Sequence, residues 1–532
     1  GIERADGKTL VKVVGGDYDG YYTLGEYVCS IGDNLYASVN EAKNSGDTSA
    51  DTIKLLKDID EYVYFDKSWT LDLNGYTISQ TGWTTLFVAG NAELTITDTS
   101  ADKTGKVSNT YEGDNSKASA VYVVSDNTAK LVVEAGTLES SNGYGIYNDG
   151  AGYVIVNGGT VKGADGKSVL NYMDNGNYFT INGGKFSDDA GNAGRYTRAD
   201  GQVLVRIVSD DDTNGLFQLA TAVAKIGDTY YGSLADAVAD VPEDGTIQMV
   251  ADEDMGDTTF VIDKKVTLDL NGKTITSSKD GASGARAGVF SLVEGADLTV
   301  TDSSDSKNGA ISSTSTESVS TAGIIVAAGA QLTLEAGTIK GTYKGIYNEG
   351  TVVVNGGTVS ATDTSDGIGI RSYKGTTTVA GGTVEAYRAI YEGHGTTTVT
   401  GGAVEGLQYA IYLDNATVTI SDTAVIDKSS DPNASSDFKT FGPANVSGST
   451  VNINGGYYYD TVANGEGFTR ADGRTLVTVV GGDYDGYYML VKAVDKTSLA
   501  AAIAAAEADK AATAVSADGE DLAPTTPYVN QD

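Results

Sequence analysis

A short motif of alternating apolar and small polar residues, closed by a glycine pair, recurs along this chain. It is LVVEAGTLES at Leu131–Ser140, VIVNGGTVKG at Val154–Gly163 and FTINGGKFSD at Phe179–Asp188. It returns as LTLEAGTIKG at Leu332–Gly341, VVVNGGTVSA at Val352–Ala361, TTVAGGTVEA at Thr377–Ala386 and TTVTGGAVEG at Thr397–Gly406. The marker glycines Gly337, Gly357, Gly382 and Gly402 stand 20, 25 and 20 residues apart. A repeat this short, built of strands and glycine turns, cannot bury its apolar face alone and must stack on its neighbours as a solenoid.

The alternation of Val and Thr gives strands with one face inward, and Asn-Gly-Gly lets the backbone turn sharply. A rung of this length holds about three short strands. Stacked at about 4.8 Å, like residues fall into columns and the inner columns form the core. The expected fold is therefore all-β: two tandem parallel β-helices, three strands per rung, right-handed because parallel crossovers take that hand. The second would have roughly nine rungs and a length of about 45 Å.

A longer repeat divides the chain. RADGKTLVKVVGGDYDGYYTL at Arg4–Leu24 and RADGRTLVTVVGGDYDGYYML at Arg470–Leu490 are nearly identical, with a diverged copy at Arg198–Leu219. The internal copies follow blocks of short repeats, so each reads as a C-terminal hairpin cap. Two matching starts, at Ile31–Ile59 and Ile226–Met255, each give a strand, a helix-capping serine (Ser38, Ser233), an amphipathic helix and a second strand. Both lead into strand pairs of one kind, WTLDLNGYTI (Trp69–Ile78) and VTLDLNGKTI (Val266–Ile275), then LTITDTS (Leu94–Ser100) and LTVTDSS (Leu298–Ser304). The reading is a cap of an upstream module at 1–24, module one at 25–219, module two at 220–490, and a partial helical segment or linker at 491–532. The alanine-rich stretch at 495–514 has helical spacing.

Composition narrows the partners. A net charge of −36 repels nucleic acid and anionic lipid, and no apolar run is long enough to span a bilayer. The single cysteine, Cys29, allows no internal disulfide and reads as a small buried hydrophobe. No metal or other cofactor is called for. Asp17–Gly20 and Asp483–Gly486 resemble the start of a calcium loop, but the diverged copy carries Asp212-Thr213-Asn214-Gly215 there, and what the copies share is a tight hairpin turn. The single histidine, His394 in Gly393-His394-Gly395, lacks the neighbouring carboxylates that glycoside hydrolysis needs and reads as a turn residue.

The run TIKLLKDI, TLDLNGYTI, LTITD and repeated NGGTV resembles the pectin-lyase-like β-helix regions of very large surface proteins of Gram-positive gut bacteria. The segment Val494–Asp532 resembles the opening of a FIVAR-type module of the same wall proteins. The first resemblance implies secretion, attachment to the cell wall or surface, and an adhesin-like role. It supplies no functional residues.

The residues themselves offer one candidate site. YGIYNDG (Tyr144–Gly150), YKGIYNEG (Tyr343–Gly350), YRAIYEG (Tyr387–Gly393) and YAIYLDN (Tyr409–Asn415) hold one position in successive rungs. With each Ile inward, alternation turns Tyr147, Tyr347, Tyr391 and Tyr412 outward, and Arg371 joins the column between Tyr347 and Tyr391. An acid follows each tyrosine: Asp149, Glu349, Glu392 and Asp414. Aromatic faces edged by carboxylates can stack on sugar rings and bond their hydroxyls; a ladder of side chains that stabilises the sheet is the competing reading. The expected function is a non-catalytic adhesin or stalk that contacts a glycan or a host surface protein through this face. The alternative is a polysaccharide lyase or glycoside hydrolase, which needs clustered acids beside an Arg such as Arg371 or Arg388.

Overall fold

The computed structural model describes residues 8–14, 16–46, 52–124, 128–173, 175–281, 286–316, 321–442, 448–471, 473–492 and 528–529. The chain forms two compact units, Gly1–Ala239 and Asp240–Asp532. Both are all-β and built on long parallel sheets. Among the described residues no helix is long and apolar enough to cross a membrane.

In the first unit, strands recur in threes and each pairs in parallel with the third strand after it. Trp69–Asp72, Glu93–Thr97, Lys130–Val133, Tyr153–Val156 and Phe179–Ile181 make one sheet. Thr77–Gln80, Lys106–Asn109, Thr137–Ser140 and Thr160–Lys162 make a second. Val63–Phe65, Thr84–Val88, Ser119–Val123, Tyr144–Asn148 and Val169–Asn171 make a third. Leucine, isoleucine and valine from all three, among them Leu71, Leu94, Leu131, Ile78 and Ile146, are fully buried in one core. The helix Val39–Asn44 begins where the sequence puts it: the Ser38 hydroxyl accepts from the Glu41 N–H at 3.0 Å. The Glu61 carboxylate also accepts from the Val39 and Asn40 N–H groups, each at 2.9 Å, so a negative charge sits against the helix's positive end.

The residues expected to end module one, 198–219, form an antiparallel hairpin of Gln202–Arg206 with Phe217–Thr221. A second hairpin, Ala224–Ile226 with Thr229–Tyr231, continues from it through the Arg206–Tyr231 pair. Residues 220–239, read from sequence as the start of module two, therefore group with the first unit. The hairpin of Thr9–Lys12 with Tyr22–Gly25 lies on the segment read as an upstream cap, 1–24, and runs one residue beyond it.

The second unit repeats the scheme. One sheet carries Lys265–Asp269, Asp297–Thr301, Gln331–Leu334, Thr351–Val354, Thr376–Val379, Thr396–Val399, Thr417–Ile420 and Thr450–Ile453 in register. A second runs through Thr338–Gly341, Thr358–Ala361 and the long strands Thr383–Gly393 and Ala403–Asp414. These long strands continue into the third sheet, with Thr321–Val326, Lys344–Asn348, Ile368–Tyr373 and Lys439–Gly442. Antiparallel pairing of Arg474–Val480 with Tyr488–Lys492 closes the sequence-matched C-terminal hairpin. The expected helix at 495–514 lies outside the described residues.

The glycine pair does two different things. The second glycine takes left-handed backbone, as at Gly357 with φ +68°. The first, Gly356, is there for room: a Cβ would stand 2.3 Å from the Glu335 carbonyl oxygen of the rung before.

Candidate functional site

The third sheet of the second unit carries the tyrosine column. Backbone pairing aligns Tyr347 with Arg371, Arg371 with Tyr391, and Tyr391 with Tyr412. The preceding residues, Ile346, Ile370, Ile390 and Ile411, are buried in the interior, which sends the column outward. The rings lie across the rungs. The Arg371 guanidinium carbon sits 3.7 Å from the Tyr391 ring centre, and the Tyr391 and Tyr412 rings are 4.8 Å apart at 41°. Arg286, from outside the column, covers Tyr347 at 3.9 Å, and Arg388 lies 5.6 Å from Tyr412. Contacts of this kind are worth about 0.5–2 kcal/mol each. The tyrosine faces are thus largely taken by their neighbours, and Tyr347 is only 8% exposed. The Tyr347 hydroxyl accepts from Arg286, which leaves the edges of Tyr391 and Tyr412, both half-buried, as the more accessible part of the column.

The acids expected along this edge divide. Glu349 accepts from the Tyr347 hydroxyl at 3.2 Å and pairs with Arg286 at 3.4 Å. Asp414 is half-buried at the end of its strand and accepts from the Asn415 side chain at 2.9 Å. Glu392 does not belong to the edge: it is 0% exposed. Alternation explains the correction. Glu349 and Asp414 stand two residues after their tyrosines and share the outward face, whereas Glu392 stands one residue after Tyr391 and points inward. It takes the place held one and two rungs earlier by Ser372 and Asn348. One Glu392 oxygen accepts from the Thr397 hydroxyl at 2.5 Å and the other has no partner. Burial raises its pKa above the ordinary glutamate value, against the bond from Thr397. Burial likewise raises Tyr347, with Glu349 adding to it, and Tyr391, against the lowering effect of Arg371.

Arg388 is paired with Asp366 at 2.5 Å and Arg286 with Glu349. Arg371 forms no ion pair among the described residues; one of its terminal nitrogens donates to the Ser372 carbonyl at 3.1 Å and the Tyr391 carbonyl at 3.4 Å. Gly393 makes space for it, since a Cβ there would stand 2.8 Å from that nitrogen.

The first unit has the same column with different chemistry. Tyr64, Phe87, Tyr122 and Tyr147 are in register and stack at 5.2, 4.9 and 5.4 Å with interplanar angles of 20°, 23° and 12°. Only Tyr147 of these was read from the sequence. Asp149 at its edge is held by Lys117 at 2.8 Å and by the Tyr122 hydroxyl. Burial, then Asp149, pushes the Tyr147 phenol up to about 12. This ladder has no arginine in it.

His394 is exposed with φ +61° in a turn whose counterparts, Lys374 and Asn415, are also left-handed, and its ring stands edge-on to Tyr373 at 5.7 Å. Among the described residues no group of three His, Cys, Asp or Glu side chains is placed to hold a metal. The chain matches no protein-family model, no curated protein and no solved structure.

Proposed function

We propose that both units are right-handed parallel β-helices with three strands per rung, and that they belong to a secreted, wall- or surface-attached bacterial protein of the pectin-lyase-like adhesin class, with a FIVAR-type module beginning at 494–532. In this reading the chain is a non-catalytic adhesin or stalk. The helices act as a stiff spacer, and the face of Tyr347, Arg371, Tyr391 and Tyr412 contacts a glycan or a host surface protein. The pairing of each strand with the third one after it, or with the second where the long strands Thr383–Gly393 and Ala403–Asp414 serve two sheets, supports the architecture. The observation that carries the function is the in-register tyrosine–arginine column, which sets Tyr391 and Tyr412 beside a guanidinium that forms no ion pair among the described residues. Contact there is made through hydrogen bonds to those groups more than by stacking, because the ring faces are already covered.

The test is a glycan and host-protein binding screen on the full chain, with Tyr391→Ala as the control. A ligand lost at least tenfold in the variant supports the reading. Ligands that bind the variant as well as the parent remove the face from it. Release of sugar products from an acidic polysaccharide would overturn the non-catalytic assignment.

A further inference from the structure

The tyrosine column of the second unit concentrates cations in an acidic protein. The chain as a whole carries −36, yet three arginines gather at this column. Arg286, Arg371 and Arg388 all stand here, and every other arginine of the chain lies in or beside the RADG segments. The adjacent outward column aligns Lys344, Ile368, Arg388, Tyr409 and Lys439. On the other side, the exposed Lys374 lies 5.3 Å from the Tyr373 ring centre. Among the described residues the nearby acids include Glu349 and Asp366, spent on Arg286 and Arg388, Asp414 at its strand end, and the buried Glu392, which feels the Arg371 charge from inside. Arg371 at the centre forms no ion pair among the described residues, and the Tyr391 ring and Gly393 hold its plane in place.

We propose that this face takes an acidic glycan, with Arg371 donating to a sulfate or carboxylate on the sugar and the tyrosine hydroxyls bonding the ring oxygens beside it. The proposal rests on the glycan-contact reading above and narrows it. A guanidinium presents a planar fork that matches carboxylate and sulfate oxygens, and such charge-assisted bonds are about twice as strong as neutral ones. Stacking on Tyr391 fixes the fork before the ligand arrives, so little freedom is lost on binding. The acidic remainder of the chain does not forbid this. At physiological ionic strength the screening length is about 8 Å, so an oligosaccharide seated on the column meets mainly the local cations. The first unit lacks the arginines, and its ladder has no such preference.

The experiment measures binding of the full chain to three probes of matched length: a dextran sulfate oligosaccharide, an oligogalacturonide and unmodified dextran. The expected result is that at least one acidic probe binds tenfold or more tighter than dextran, and that its affinity falls as salt rises. Arg371→Gln is expected to cost about tenfold or more on that probe, with Arg371→Lys recovering part of the loss. The exposed Lys439→Gln provides a variant remote from the core and is expected to weaken the acidic probe by about two- to threefold with an unchanged melting temperature. The two acidic arms tell sulfate from carboxylate.

If dextran binds as tightly as the acidic probes and Tyr391→Ala abolishes all of them, the charge preference is overturned while the contact face stands. If no probe binds, or binding ignores both Arg371 and Tyr391, both readings fall. If polyglutamate competes as well as the best acidic sugar, the glycan class is overturned in favour of an acidic peptide.

Discussion

Asp98 and Asp302 stand at equivalent places in the two units, at the end of LTITD and LTVTD, and both are buried. Asp302 accepts from the N–H groups of Gly272 and Ser304 on one oxygen and Gly309 on the other, at 2.9, 3.0 and 2.6 Å. Asp98 does the same with Gly75, Ser100 and Gly105. Burial opposes the charge on Asp302, but the bonds from Ser304, Gly309 and Gly272 outweigh it and hold its pKa below the usual value; Asp98 behaves alike. A carboxyl depressed in the folded state stabilises above its unfolded pKa, about 3.9 for aspartate, and that stability is lost as pH falls through the lower folded value. The melting temperature is therefore expected to hold from neutral pH to about pH 5 and to drop below about pH 4. Asp302→Asn should cost about 1–3 kcal/mol at neutral pH, because its amide faces an N–H donor, and should flatten the acid limb; thermal melts across pH check both. Glu392 has the opposite sign. Its pKa is raised, so its contribution is full below the ordinary glutamate value and lost as pH rises through the raised one. Glu392→Gln is expected to raise the melting temperature at pH 7 and to change it little at pH 4.

At the scale of the element, the turn after each inner strand sets how closely rungs approach. Gly357 has both demands at once, φ +68° and a Cβ position 2.3 Å from the Gly337 carbonyl. Gly295 is left-handed too, at +89°, but has open space around it. Gly295→Ala should therefore cost only the strain of the left-handed backbone, about 1–2 kcal/mol. Gly357→Ala should add about 1–3 kcal/mol of overpacking; urea denaturation of the two variants measures the difference. This turn was legible in the sequence because a glycine pair at near-constant spacing has few other uses. The tyrosine column of the second unit was legible for the same reason, its rungs being close in length. The aromatic ladder of the first unit was not: Tyr64, Phe87, Tyr122 and Tyr147 are separated by loops of unequal length, so no period marks them. Arg286 escaped notice because it reaches Tyr347 from outside the column. Glu392 was misread because an acid after a tyrosine looks the same at one residue or two, while the pleat puts the two on opposite faces.

At the scale of the molecule, charge is the term that a change of solvent tests most directly. The ion pairs join side chains at least one of which is well exposed in most cases, such as Lys57 with Glu26 at 3.2 Å and Lys265 with Asp244 at 2.8 Å. Such pairs contribute little to stability, because water and salt screen them and holding two long side chains costs entropy. Against them stands the self-repulsion of a chain with net charge −36, which favours the expanded, unfolded state. Raising ionic strength from about 0.01 M to about 0.15 M shortens the screening length from about 30 Å to about 8 Å. The long-range repulsion is cut far more than contacts of 3 to 4 Å, so the repulsive term is the one that shrinks. The melting temperature is expected to rise over that salt range, and a fall would show that the surface pairs outweigh the repulsion. The same series should weaken the acidic-glycan contact at Arg371, where attraction is what salt screens. Stability and binding then move in opposite directions in one titration, which separates the local attraction at Arg371 from the repulsion within the acidic protein that carries it.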